Sequence, residues 1–283
     1  MLNRVTSVFM LLATISCSSS LFGASLATDN AGASAYNSGW NATNAGTSTT
    51  STGAWGAGWT FANAGTAGSF VASSNNNDNN ESGWQNINSN PSGNNRAWGL
   101  FANSGGRAEA TRQLNGTLSV GQSISFSMDN GSIANTRSVG VQLLSGTDVA
   151  FEFRFVGGAS FYSLLDGGPS GGGGSSSTTN TTLGFSRGAV NGVFTLLNSG
   201  GYSFSATRLG QGASPSATDS VTGRILASSS TNISHVRLFN NDAGSGGASD
   251  AFFNNIAVVP EPSIIAAAII GSGIMLRRRR EIA

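Results

Sequence analysis

Ser123-Ile124-Ser125-Phe126-Ser127-Met128 alternates a hydroxyl with an apolar side chain at every step. Successive side chains of an extended chain point to opposite faces, so this stretch reads as a strand with one apolar and one neutral polar face. The same period of two recurs on both sides of it. Val139, Val141 and Leu143 alternate with Gly140 and Gln142, and Phe151, Phe153 and Phe155 alternate with Glu152 and Arg154. Val193, Thr195 and Leu197 form a further run, followed by Tyr202, Phe204 and Ala206, then Val221–Leu226, His235–Phe239 and Phe252–Val259. Runs separated by glycine-, asparagine- and serine-rich breaks, with no helix-period segment between them, predict an all-β antiparallel β-sandwich of jelly-roll or concanavalin-like form across residues 28–257.

Composition narrows the function classes. The chain has 283 residues, only 10% of them charged, and a formal net charge of +1. Its basic residues are all arginine. So small a charge supplies no field for nucleic acid, and nucleic acid is not expected as a partner. One Cys and one His cannot build a Cys/His zinc site.

Two low-complexity stretches, Asn75–Asn80 and Gly167–Asn180, read as loops. Ala54-Trp55-Gly56 followed by Phe61-Ala62-Asn63-Ala64-Gly65 is echoed by Ala97-Trp98-Gly99 followed by Phe101-Ala102-Asn103-Ser104-Gly105. The two copies are expected to pair as strands of one sheet; two copies do not make a repeat array.

The ends differ in kind from the middle. Residues 1–27 read as a secretory signal peptide: Arg4, an apolar run over Val5–Ile15, then Ser25-Leu26-Ala27 with cleavage by signal peptidase after Ala27. Thr14-Ile15-Ser16 before Cys17 lacks the leucine of a lipoprotein signal, so Cys17 leaves with the signal and no disulfide is expected. Residues 258–283 hold Pro260-Glu261-Pro262, an apolar segment Ser263–Leu276, and Arg277, Arg278, Arg279 and Arg280. The prolines break any helix and leave exposed backbone before the apolar segment. That segment reads as a short transmembrane helix of about 21 Å, against a hydrocarbon core of about 30 Å. The arginine cluster is a stop signal that holds the tail in the cytoplasm.

Pro260-Glu261-Pro262, the apolar helix and the terminal arginines, in that order over about 24 residues, resemble the PEP-CTERM sorting signal. The resemblance implies a Gram-negative, exopolysaccharide-forming source. It also implies recognition by exosortase, a membrane-embedded cysteine transpeptidase that cleaves near the motif. Blocks such as Val236-Arg237-Leu238-Phe239-Asn240-Asn241-Asp242 are similar to blocks of exported PEP-CTERM β-proteins, and Phe253-Asn254-Asn255-Ile256 resembles the last strand of carbohydrate-binding jelly rolls.

The chemistry-bearing residues are sparse. Glu109 near Arg112, and Glu152 near Arg154, read as ion pairs rather than as the spaced carboxylates of a glycosidase. His235 is a lone strand histidine, and no catalytic residues are assigned. All five Trp lie between residues 40 and 98. Core filling is one reading of them; an exposed platform for sugar rings is the other, with Trp59 and Trp84 as its candidates. Asp250 and Asn254 offer hard oxygens for a structural calcium ion; no other cofactor is expected. The expectation is an exported, exosortase-processed, non-enzymatic protein of the cell surface or extracellular matrix, anchored in the membrane only until processing and contacting exopolysaccharide. The alternative is a lectin-like module with a defined sugar site.

Overall fold

A computed structural model describes residues 27–43, 55–73, 87, 96–167, 177–185, 189–209, 216–226 and 232–260. The signal segment 1–26, Trp84 and the tail from Glu261 onward lie outside the described residues. Among the described residues no helix is long and apolar enough to cross a membrane.

The fold is all-β, two antiparallel sheets packed face to face, as the alternation predicts. The first sheet contains β1 (Ala27–Asp29), β3 (Ala67–Ser73), β4 (Arg96–Ala102), β6 (Ser123–Asn130), β11 (Val190–Leu196), β12 (Gly201–Arg208), β13 (Ala217–Ile225) and β15 (Ala251–Val259). Its order is β13-β12-β11-β6-β15-β4-β3, with β1 paired to β15 as well. The second contains β2 (Trp55–Ala64), β5 (Arg107–Leu114), β7 (Ser138–Ser145), β8 (Asp148–Val156), β9 (Phe161–Asp166), β10 (Ser177–Gly184) and β14 (His235–Asn241), in the order β10-β9-β8-β7-β14-β5-β2.

Aromatic rings fill the space between the sheets. Phe204 of the first sheet lies 5.1 Å from both Phe151 and Phe153 of the second. At the other end Trp98 of the first sheet packs 5.2 Å from Trp59 of the second, and Trp40 lies against both. Ile124, Phe126 and Met128 point inward from β6, as do the β7 and β8 triplets.

Three local expectations change. The two Ala-Trp-Gly copies lie in different sheets, β2 in the second and β4 in the first. Each ends in a turn that crosses between the sheets, with Gly65 (φ 63°) and Gly105 (φ 77°) taking the left-handed backbone that a Cβ would penalise. The turns abut: the Asn103 N–H donates to the Thr66 carbonyl at 2.9 Å. In β11 the inward residues are Phe194 and Leu196, while Val193 is 39% exposed. Gly192 leaves room there, since the Phe126 ring occupies the space a side chain would take. Finally, Ser177–Asn180, read as loop, opens β10.

β15 pairs with β4 through Ala251–Phe253, then switches to β1 through Ile256–Val258. A bulge between Asn254 and Ala257 makes the switch, with Asn255 at φ 51°.

Candidate functional site

The outer face of the second sheet carries an extended polar network. Strand register aligns Thr111, Arg237, Gln142 and Glu152 in one row across β5, β14, β7 and β8. Arg237 donates to Thr111 Oγ1 at 3.3 Å and to Gln142 Oε1 at 3.1 Å, and lies 3.5 Å from Glu109. The Gln142 amide donates to Glu152 at 2.5 Å, and Arg154 pairs with Glu152 at 3.0 Å. Arg107 closes the other end on Glu109. Planar guanidinium, amide and carboxylate groups on one face are the donors and acceptors that fix sugar hydroxyls.

The Glu152–Arg154 pair stands as expected, but Glu109 partners Arg107 and Arg237, not Arg112. Glu109 and Glu152 stand on strands three spacings apart and are bridged through Arg237 and Gln142. His235 Nδ1 lies 2.8 Å from Ser234 Oγ, and no carboxylate among the described residues is hydrogen-bonded to it. Burial and the charge of Arg237 push its pKa below the usual histidine value.

Arg112 points the other way, into the core. It ion-pairs with Asp29 of β1 and donates to the Tyr36 hydroxyl at 3.2 Å. Its guanidinium lies 4.9 Å from the Trp55 ring centroid. Burial lowers the Arg112 pKa to about 10. Asp29 also accepts from the Tyr36 hydroxyl at 2.8 Å and from Trp59 Nε1 at 3.0 Å. Trp59 is therefore a core residue, 2% exposed, and offers no face to a sugar. A polar sequence neighbour, Thr60, says nothing of the face Trp59 takes, because adjacent strand residues point opposite ways. A second cluster joins the sheets elsewhere: Asp166 of β9 takes the fork of Arg224 from β13 and the hydroxyl of Tyr202 from β12.

Asn254, expected as a calcium ligand, is fully buried. Its oxygen accepts from the Ala31 N–H at 2.9 Å, and its nitrogen donates to the carbonyls of Ile87 (2.6 Å) and Arg96 (2.8 Å). It stitches three segments together. Asp250 stands apart from it, and among the described residues no group of three His, Cys, Asp or Glu could hold a metal ion. Ala27 lies in β1, buried and paired with Val258, so the expected signal cleavage site is part of the sheet. Pro260 directly follows β15.

No protein-family model and no curated protein matches the chain. Solved structures of similar architecture include the globular domain of T. cruzi calreticulin, at 10% identity and TM-score 0.38 over 58% of this chain and 73% of that one. The Caenorhabditis elegans galectin LEC-6 aligns at 16% identity and TM-score 0.31 over 50% of this chain and 83% of that one. The receptor-binding domain of botulinum neurotoxin D aligns at 10% and 0.38, covering 74% of this chain and 49% of that one. These likenesses concern the two-sheet architecture alone.

Proposed function

We propose that the chain is an exported, non-enzymatic β-sandwich of the cell surface or extracellular matrix, freed from the membrane by exosortase near Pro260-Glu261-Pro262, with a body that contacts exopolysaccharide. The observation that supports the reading is the position of the last described strand, Ala251–Val259. All fifteen strands of the described residues lie between Ala27 and Val259, and the sorting-type sequence begins at the next residue. Cleavage beside Pro260 would therefore leave the sheets whole. It would also remove Arg277–Arg280; with Arg4 gone, nine arginines and eleven acids remain in residues 28–259, a charge near −2. In a host with exosortase, Pro260→Ala or Glu261→Ala is expected to leave an uncleaved, membrane-held precursor. Mutant and wild type of equal size on a gel would refute the processing step.

A second reading is a lectin-like module whose sugar site is the Arg237 face. It is favoured by the convergence there of Arg237, Gln142, Glu109 and Glu152, buried enough to be held in place and still reachable from solvent.

A further inference from the structure

The outer face of the first sheet is built differently from that of the second. Register aligns Thr28, Ala257, Ser125, Val193, Ser205 and Ser220 in one row across six strands, β1-β15-β6-β11-β12-β13. A parallel row runs through Ser127, Asn191, Thr207 and Thr218, and a third through Ser123, Thr195 and Ser203. Neighbouring groups bond along the rows: Ser123 Oγ lies 2.7 Å from Thr195 Oγ1, Ser127 Oγ donates to Asn191 at 2.8 Å, and Thr207 lies 2.9 Å from Thr218. The three rows hold no charged side chain. Beside the rows, Arg224 is turned onto Asp166 in the joint between the sheets, and Asp129, which follows Ser127 on the same phase of β6, is buried.

At one end of the face, beside the β15 bulge, is a recess of about 350 Å³ lined by Thr28, Asn30, Ser125, Asn255, Ile256 and Ala257 and by Asp29, whose carboxylate is turned inward onto Arg112. Small-molecule sites begin at about 300 Å³. Along each row the groups repeat at the strand spacing, about 4.8 Å, a length similar to one hexose of an extended chain. Val193, 39% exposed at the centre, gives an apolar spot for the C–H face of a ring.

We infer that this face, from the recess beside β1 across to β13, is the docking surface for an extended neutral polysaccharide. The inference rests on the polysaccharide-contacting body proposed above and assigns it a surface. Charge selects the occupant. An uncharged grid of hydroxyls and amides offers nothing to nucleic acid or to an acidic polymer, whereas each hydroxyl both donates and accepts and so matches a partner made of hydroxyls.

The test is co-sedimentation of the full chain with regenerated cellulose, an insoluble neutral β-glucan, beside alginate beads as the acidic counterpart. Wild type is expected on cellulose, with retention unchanged by added salt. Ser125→Arg and Val193→Arg, each folded by circular dichroism, are expected to lose at least tenfold in retention. Thr60→Arg, on the exposed outer face of the second sheet, is expected to bind as wild type. Should Ser125→Arg fail to fold, Val193→Arg carries the test alone, since its side chain already faces solvent. Binding lost in Arg237→Ala but kept in Val193→Arg overturns this face and leaves a polysaccharide-binding body with its site on the second sheet. Retention on neither polymer overturns the body's contact with polysaccharide along with this face. A dimer that dissociates in Val193→Arg, without cellulose binding, overturns the inference in favour of a second copy of the chain.

Discussion

Asp250 stands at the start of β15 with its carboxyl pushed up to about 7 by burial. Its folded pKa is above its unfolded one, so the folded state holds the proton more tightly. The carboxyl then costs no stability below pH about 4, and the cost grows as pH rises through the window up to about 7. Asp250→Asn should therefore melt with wild type at pH 4 and melt higher than wild type at pH 8; equal melting temperatures at pH 8 would show that the carboxyl is not desolvated. Asp129, whose pKa burial also raises, shifts both proteins alike. Residue by residue, much of the interior was legible. In Ala108-Glu109-Ala110-Thr111-Arg112-Gln113-Leu114 the inward phase is Ala108, Ala110, Arg112 and Leu114. An arginine on the apolar phase signals a buried acidic partner, and a three-residue offset puts Glu109 on the opposite face. The partner itself, Asp29, is 83 positions away, and no local pattern points to it. Trp59 misled for the same reason: its face is set by phase, not by its neighbours.

β1 is only three residues long, yet it supplies one half of the Asp29–Arg112 pair. That pair ties the first sheet to the second, as Asp166–Arg224 does between β9 and β13. Removing one partner of a buried pair strands the other charge. Asp29→Ala is expected to lower unfolding free energy by about 3–5 kcal/mol, while Asp29→Leu with Arg112→Met recovers most of it. Urea midpoints measure both, and an Asp29→Ala midpoint within experimental error of wild type would show that β1 is not a clamp. At this scale the strands with one clean apolar phase, β6, β7, β8 and β12, were readable. β11 was not, because Val193 and Phe194 put apolar residues on both phases and only the Phe126 ring over Gly192 decides between them. The paired Ala-Trp-Gly motifs were visible, but which sheet each enters depends on turns that change sheets, and sequence similarity does not encode that. β10 was hidden by low-complexity composition: Ser177-Thr178-Thr179-Asn180 reads as loop until it pairs with β9.

At the scale of the whole molecule, the ends of the body come together. Ala27 is the partner of Val258, so the chain enters and leaves the sandwich on adjacent strands of one sheet. The segments preceding Ala27 and following Val259 thus depart from neighbouring positions. The proposed signal cleavage after Ala27 would take one residue from β1 and keep Thr28 and Asp29, the partners of Ala257 and Ile256. The Arg237 network and the neutral hydroxyl face were not found by motif reading, because each is assembled by register across four or more strands from single residues that are unremarkable in sequence. Their raw material was there: the Ser123-Ser125-Ser127 phase that betrayed the fold is also the phase that forms the neutral face. The central claim is that residues 28–259 are a complete body and the tail a removable sorting segment. The most direct measurement is the intact mass of the protein recovered from the cell surface or medium. A species beginning at Thr28 and ending near Pro260 is expected. Surface material that still carries Arg277–Arg280 would contradict the account.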